Sequence, residues 1–197
     1  MLTRFLVPQS PEEKRSAPFL RRWCRDTNGT TAIEFAMVSL PFFFFVFGVI
    51  GLGAYFFTTT ALESAVDSAS RQIRTGQAQK GGITQQQFRQ LICNAAGGTA
   101  AIINCDDSRL KVHVQSAPAW AGVTPTPCLT NGALTSSAGQ STDALSQSSG
   151  GASQAVVVTV CYEFSLAQSM PFLKLGNMGN GSSVIQAATT FRTEPYQ

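Results

Sequence analysis

From Phe35 to Leu62 the chain runs 28 positions without a charged residue. Its centre reads Leu40-Pro41-Phe42-Phe43-Phe44-Phe45-Val46-Phe47-Gly48-Val49-Ile50-Gly51-Leu52. A hydrocarbon core of about 30 Å takes about 20 apolar residues as a helix. The run meets that length with room for tilt and predicts a membrane-spanning helix over residues 30–61. A core helix of a soluble protein would keep a polar face, whereas here the phenylalanines go all round. A secretory signal would have about 7–15 apolar residues and a small-x-small cleavage site. Thr59-Thr60-Ala61 is a weak match, so an uncleaved anchor is preferred. Pro41 removes one helical hydrogen bond, and Gly48, Gly51 and Gly53 are either points of flexibility or ordinary membrane-helix residues.

The period then becomes amphipathic. Leu62, Ala65, Val66, Ala69 and Ile73 recur at three and four residues, the stripe of a helix continuing the span through a segment at 62–80 and ending near Gly76. A second helix is predicted after Thr84, with Gln87 three residues on as a capping box. Phe88, Leu91 and Ile92 form its apolar side, and Gly97-Gly98 its stop. Leu110, Val112 and Val114 alternate with Lys111, His113 and Gln115, a half-buried strand with His113 on the exposed side. Residues 117–153 hold Pro118, Pro125 and Pro127 and then a Ser/Gly-rich stretch, which predicts a long exposed loop. Ala155–Phe164 gives the strongest strand pattern, and Val184–Arg192 a third. The expected fold is α+β: a long N-terminal helix, then a small antiparallel sheet in a domain over 81–197.

Composition sharpens this picture. Of 197 residues, 44% are hydrophobic and 13% charged, about half the usual charged share. Full disorder is excluded on that ground. Residues 1–29 carry six basic and three acidic side chains, so the whole net charge of +3 lies in a leader. No basic cluster sits on a duplex-binding motif, and no nucleic-acid partner is expected. The one histidine rules out a His-rich metal site, and no cysteine pair has zinc-knuckle spacing. Paired carboxylates, a Ser-His-Asp set and a phosphate loop are all missing, and Gly176–Gly181 has the wrong glycine order for a dinucleotide fingerprint. No enzymatic activity, cofactor, metal or small-molecule substrate is expected.

Flanking charge gives only a modest orientation signal: Arg15, Arg21, Arg22 and Arg25 before the span, Arg71, Arg74 and Lys80 after it. The cysteines add to it. Cys24 precedes the span, while Cys93, Cys105, Cys128 and Cys161 follow it, an even set that fits an oxidising compartment. The N-terminus is therefore expected in the cytoplasm and the C-terminal domain outside it. Four cysteines allow three pairings. Cys93–Cys105 and Cys128–Cys161 are favoured because both close local loops, and staples suit a domain with a limited core.

Gly29-Thr30-Thr31-Ala32-Ile33-Glu34-Phe35 lies between the basic leader and the apolar run. Glu34 opens an apolar segment, where a carboxylate is unfavourable unless it stays at the interface. This order resembles the prepilin processing site of type IV pilin-like proteins. The form with Glu followed by an aromatic is similar to the tight-adherence (Tad/Flp) branch. The wider stretch from Gly29 to Pro41, the apolar run, and Ala61-Leu62-Glu63-Ser64-Ala65 resembles TadE-type pilus assembly proteins, which are minor pseudopilins. TadF and TadG share the opening motif, although TadG-like chains are longer.

The resemblance implies cleavage between Gly29 and Thr30 by a membrane-embedded prepilin peptidase on the cytoplasmic face. It implies that Glu34, fifth in the mature chain, pairs with the new amine of a neighbouring subunit and sets register, with Phe35 completing the motif. It further implies a bacterial inner-membrane protein that meets other pilins and pseudopilins of the same machine and serves adhesion through the fibre. Gly29 suits close approach by a protease, and Ala32 and Ala36 suit close helix packing, though both alanines are also ordinary helix formers. The competing expectation is a single-pass anchor carrying an extracytoplasmic binding, sensor or scaffold domain, which needs neither Gly29 nor Glu34.

Overall fold

A computed structural model describes residues 29–96, 103–106, 108–136, 145 and 149–195. The basic leader, Cys24 and the Gly97-Gly98 stop lie outside the described residues. Two units are distinguished along the chain, meeting between Phe45 and Val46.

The first helix, α1, covers Thr30–Arg74. Its stretch up to Phe45 exposes its large apolar side chains, among them Phe42, Phe43, Phe44 and Phe45. Hydroxyls in the charge-free run bond back to their own helix. Ser39 Oγ donates to the Ala36 carbonyl, and Thr58 and Thr59 donate to Ala54 and Tyr55 at 2.7 and 3.0 Å. Such back-bonding removes the cost of a hydroxyl in an apolar medium. From Leu62 on, the apolar stripe is buried: Leu62, Ala65 and Ile73 are fully covered. The helix stops at Arg74, short of Lys80. Gly76 turns the chain at φ 77°, and a separate short helix, α2 (Gln77–Lys80), follows.

Helix α3 spans Gln85–Ala95. Thr84 Oγ1 accepts from the Gln87 N–H at 3.2 Å, and Gln87 Oε1 accepts from the Thr84 N–H at 2.9 Å. This reciprocal cap satisfies two donors that a helix start leaves open. Phe88 and Ile92 face inward and are fully buried.

Three strands, β1 (Leu110–Ala117), β4 (Ala155–Phe164) and β5 (Ser183–Arg192), form an antiparallel sheet in the order β1-β4-β5. Val112 lies opposite Val160, and Thr159 opposite Ala188. One face carries Leu110, Val112, Val156, Val158, Val160, Tyr162, Phe164, Ile185 and Ala187, all packed with α1 and α3 in one core. Strands run alongside the helix. Phe164 meets Tyr55 edge-to-face with ring centroids 5.6 Å apart, while Glu194, just past β5, lies 3.8 Å from Arg74. The Phe164–Ser183 end of the sheet is therefore the end nearer the apolar run.

The other face is also covered, and this corrects the expectation that His113 is exposed. His113 is buried, at 4% exposure, and Thr159 opposite it at 1%. The covering layer comes from the segment read as an exposed loop. It contains a 3-10 turn at Trp120–Gly122 and a hairpin of β2 (Leu129–Thr130) and β3 (Ala133–Leu134). The hairpin turns at Asn131-Gly132 with φ 53° and 77°, the left-handed pair that a two-residue turn requires. Gln115 Nε2 donates to Thr126 Oγ1 at 2.9 Å, which ties this layer to β1. Further along, Leu145 and Ser149 are buried too, and the Leu145 N–H donates to the Ile83 carbonyl at 2.8 Å. Residues 137–144 lie outside the described residues.

Candidate membrane anchor and processing site

The segment that carries candidate chemistry is the start of α1. Gly29 precedes the first helical residue, Thr30. A Cβ built on Gly29 meets nothing within 4 Å, and its backbone is not in the left-handed region. The fold itself thus makes no demand for glycine here. Glu34 and Phe35 are exposed, Phe35 by 72%. Among the described residues Glu34 has neither an ion-pair nor a hydrogen-bond partner; the ion pair present there is Arg74–Glu194. Ala32 and Ala36 are exposed on the same helix. Gly29, Thr30, Glu34 and Phe35 are thus brought together only by sequence, over about two helical turns.

The cysteines after α1 form two disulfides. Cys93–Cys105 ties the end of α3 to the chain before β1, with Cα atoms 6.1 Å apart. Cys128–Cys161 pins the covering layer to the middle strand, with Cα atoms 5.4 Å apart. All four are thereby occupied. Among the described residues no three His, Cys, Asp or Glu side chains converge to hold a metal ion. An open groove between the end of α1 and α3 is lined by Gln72, Gln87, Gln90 and Asn94 with Ile83 and Leu91. It contains no titratable group and offers no acid, base or nucleophile. Burial holds the His113 imidazole below its ordinary 6.5; the Thr135 backbone opposes this, and Lys111 adds to it.

α1 is long and apolar enough to cross a membrane, and little of its most apolar window is covered by the rest of the protein. The family model described as TadE-like protein matches residues 29–71. This segment is similar to TadE-like proteins. The match begins on Gly29 and takes in Glu34, the charge-free run and most of the buried stripe. The TadE-like family is a pilus component family without known enzymatic activity, and the match covers less than half of the chain. No curated protein and no solved structure matches the chain significantly.

Two features escaped sequence reasoning. Gly48 and Gly51 are buried, because the chain after β4 packs onto them. A Cβ on Gly51 would sit 2.6 Å from Met170 Sδ and 3.0 Å from Leu173 Cδ1. The available signal was the apolar cluster Met170-Pro171-Phe172-Leu173, isolated in an otherwise polar stretch. The covering hairpin had a signal as well, Asn131-Gly132 between two short apolar pairs.

Proposed function

We propose that the protein is a minor pilin-like subunit of a Tad/Flp type IVb pilus, cleaved after Gly29 and assembled through its apolar helix for adhesion. The observation that carries this reading is the TadE-like match starting on Gly29, at a glycine for which the fold has no steric use. Cleavage there would remove the +3 leader and create an amine at Thr30. Glu34 lies one helical turn from that amine. In the bilayer its lone carboxylate would be costly, and a neighbouring subunit's amine would offset that cost and set register. The exposed apolar helix supplies the surface along which subunits pack, with Ala32 and Ala36 allowing close approach. The domain outside the cytoplasm, with its two disulfides, is the part presented to other pilins and pseudopilins. The C-terminal domain is assigned to the periplasm and the leader to the cytoplasm.

The test is complementation. In cells lacking the gene, wild-type protein should restore surface fibres and adhesion. Glu34→Ala should reach the membrane at wild-type level and fail to restore them. Full restoration by Glu34→Ala would remove the register role. An anchored sensor or scaffold domain, indifferent to Glu34, would then be the better description.

A further inference from the structure

The turn after the central strand is built unlike the rest of the domain. It leaves β4 at Phe164, passes through the short helix α4 (Leu166–Ser169) and a 3-10 turn at Pro171–Leu173, and returns to β5. Its base is polar and tied down. Glu163 Oε1 accepts from Ser182 Oγ at 2.7 Å and Asn180 Nδ2 at 2.8 Å. Gln168 Nε2 donates to Ser182 Oγ at 2.8 Å, and Arg109 Nη1 to Ser165 Oγ at 3.0 Å. Its tip is apolar: Met170 and Leu173 seat against Gly51 and Gly48. Leu166 and Phe172 stay 44% exposed, and Pro171 is exposed beside them. Lys174 follows at once, exposed and turned at φ 48°.

The place where this tip meets the helix gives it a partner. Gly48 and Gly51, on which Met170 and Leu173 seat, lie inside the charge-free run that is apolar enough to cross a membrane. Exposed Leu52, Phe56 and Phe57 continue the apolar surface just above. The tip is thus continuous with the membrane-crossing surface and lies at the nearer end of the sheet. Apolar residues with an adjacent lysine are the composition of a surface that inserts into a leaflet and meets phosphate headgroups.

We propose that the turn Leu166–Lys174 is a second membrane contact, with Leu166, Pro171 and Phe172 in the outer leaflet and Lys174 at its phosphates. The helix and this turn together would hold the domain at a fixed height and tilt on the bilayer. The proposal rests on the reading of α1 as a membrane anchor.

Its test uses the full chain in vesicles of phosphatidylcholine and phosphatidylglycerol, with Trp23 and Trp120 replaced by Phe. A single Trp is placed by Phe172→Trp, by Phe44→Trp in the span, or by Thr190→Trp at the far end of β5. Lipids brominated near the glycerol end of their acyl chains serve as the quencher. A ring about 5–10 Å into the headgroup boundary should lose about half its emission, so Phe172→Trp should be quenched and Thr190→Trp should not. Quenching of Phe44→Trp alone would leave the anchor standing and overturn the second contact. Quenching of neither would overturn both. If Phe172→Trp were shielded only in crowded vesicles, and by protein instead of bromolipid, the surface would belong to a second copy and the proposal would fail.

Discussion

Removing the Cys128–Cys161 disulfide should destabilise the domain more than removing Cys93–Cys105. The first closes a loop of 33 residues and the second one of 12. In the chain-entropy model these loops contribute about 3.7 and about 2.8 kcal/mol. Surroundings widen the gap. Cys128 and Cys161 are 3% and 0% exposed, whereas Cys93 and Cys105 are only partly buried. The longer loop also carries the layer that covers His113 and Thr159. Double alanine variants are the right perturbation, since serine would bury unsatisfied hydroxyls and add a separate cost. At ~2–4 °C per kcal/mol, the Cys128→Ala/Cys161→Ala chain should melt about 10 °C below wild type. The assay is thermal and denaturant unfolding of the full chain in detergent, followed by Trp120 emission, because Trp120 sits in the covering layer. An equal or larger loss for Cys93→Ala/Cys105→Ala would refute the reasoning. So would a loss under ~1 kcal/mol for the longer loop.

Other expectations follow from single sites. Because burial depresses the His113 pKa in the folded chain, the unfolded chain takes up the proton at higher pH. Above about pH 6.5 neither state is charged there and His113 adds no slope. As pH falls below that value stability should drop, levelling once the folded pKa is passed; His113→Gln should abolish this slope in a pH series of urea melts. Thr84→Ala removes the cap on α3 and should cost ~1 kcal/mol, read by the same melts, with little change in overall helix content. Gly132→Val forces a β-branched residue to φ 77° and should cost roughly 1–2 kcal/mol. A wild-type melt for that variant would show that the hairpin turn is not formed as described.

The elements were legible wherever one local rule decided them. The Thr84/Gln87 capping box is written in four residues, and α3 starts where it says. The valine run at 155–160 fixes the central strand because it is apolar at every position but Thr159. That same run carried an unused message: a strand apolar on both faces needs cover on both. Reading His113 as exposed ignored Val157 and Cys161, whose side of the sheet is buried by a layer drawn from far along the chain. Alternation in β1 alone could not report that layer, since Lys111, His113 and Gln115 look like a solvent face. Gly48 and Gly51 read as points of flexibility or ordinary membrane-helix residues because their partner, the Met170–Leu173 turn, lies more than a hundred residues away. The proposed processing site is of another kind: Gly29, Thr30, Glu34 and Phe35 lie within seven residues, so the motif is read from local order alone and its role belongs to the proposed function.

The mature N-terminus tests the central claim most directly. The protein should be recovered from cells with and without the prepilin peptidase and its terminal peptide identified by mass spectrometry. A peptide beginning at Thr30, lost without the peptidase and lost in Gly29→Leu, is the predicted result. An N-terminus at or near Met1 in both strains would contradict it and leave an anchored domain with its leader intact.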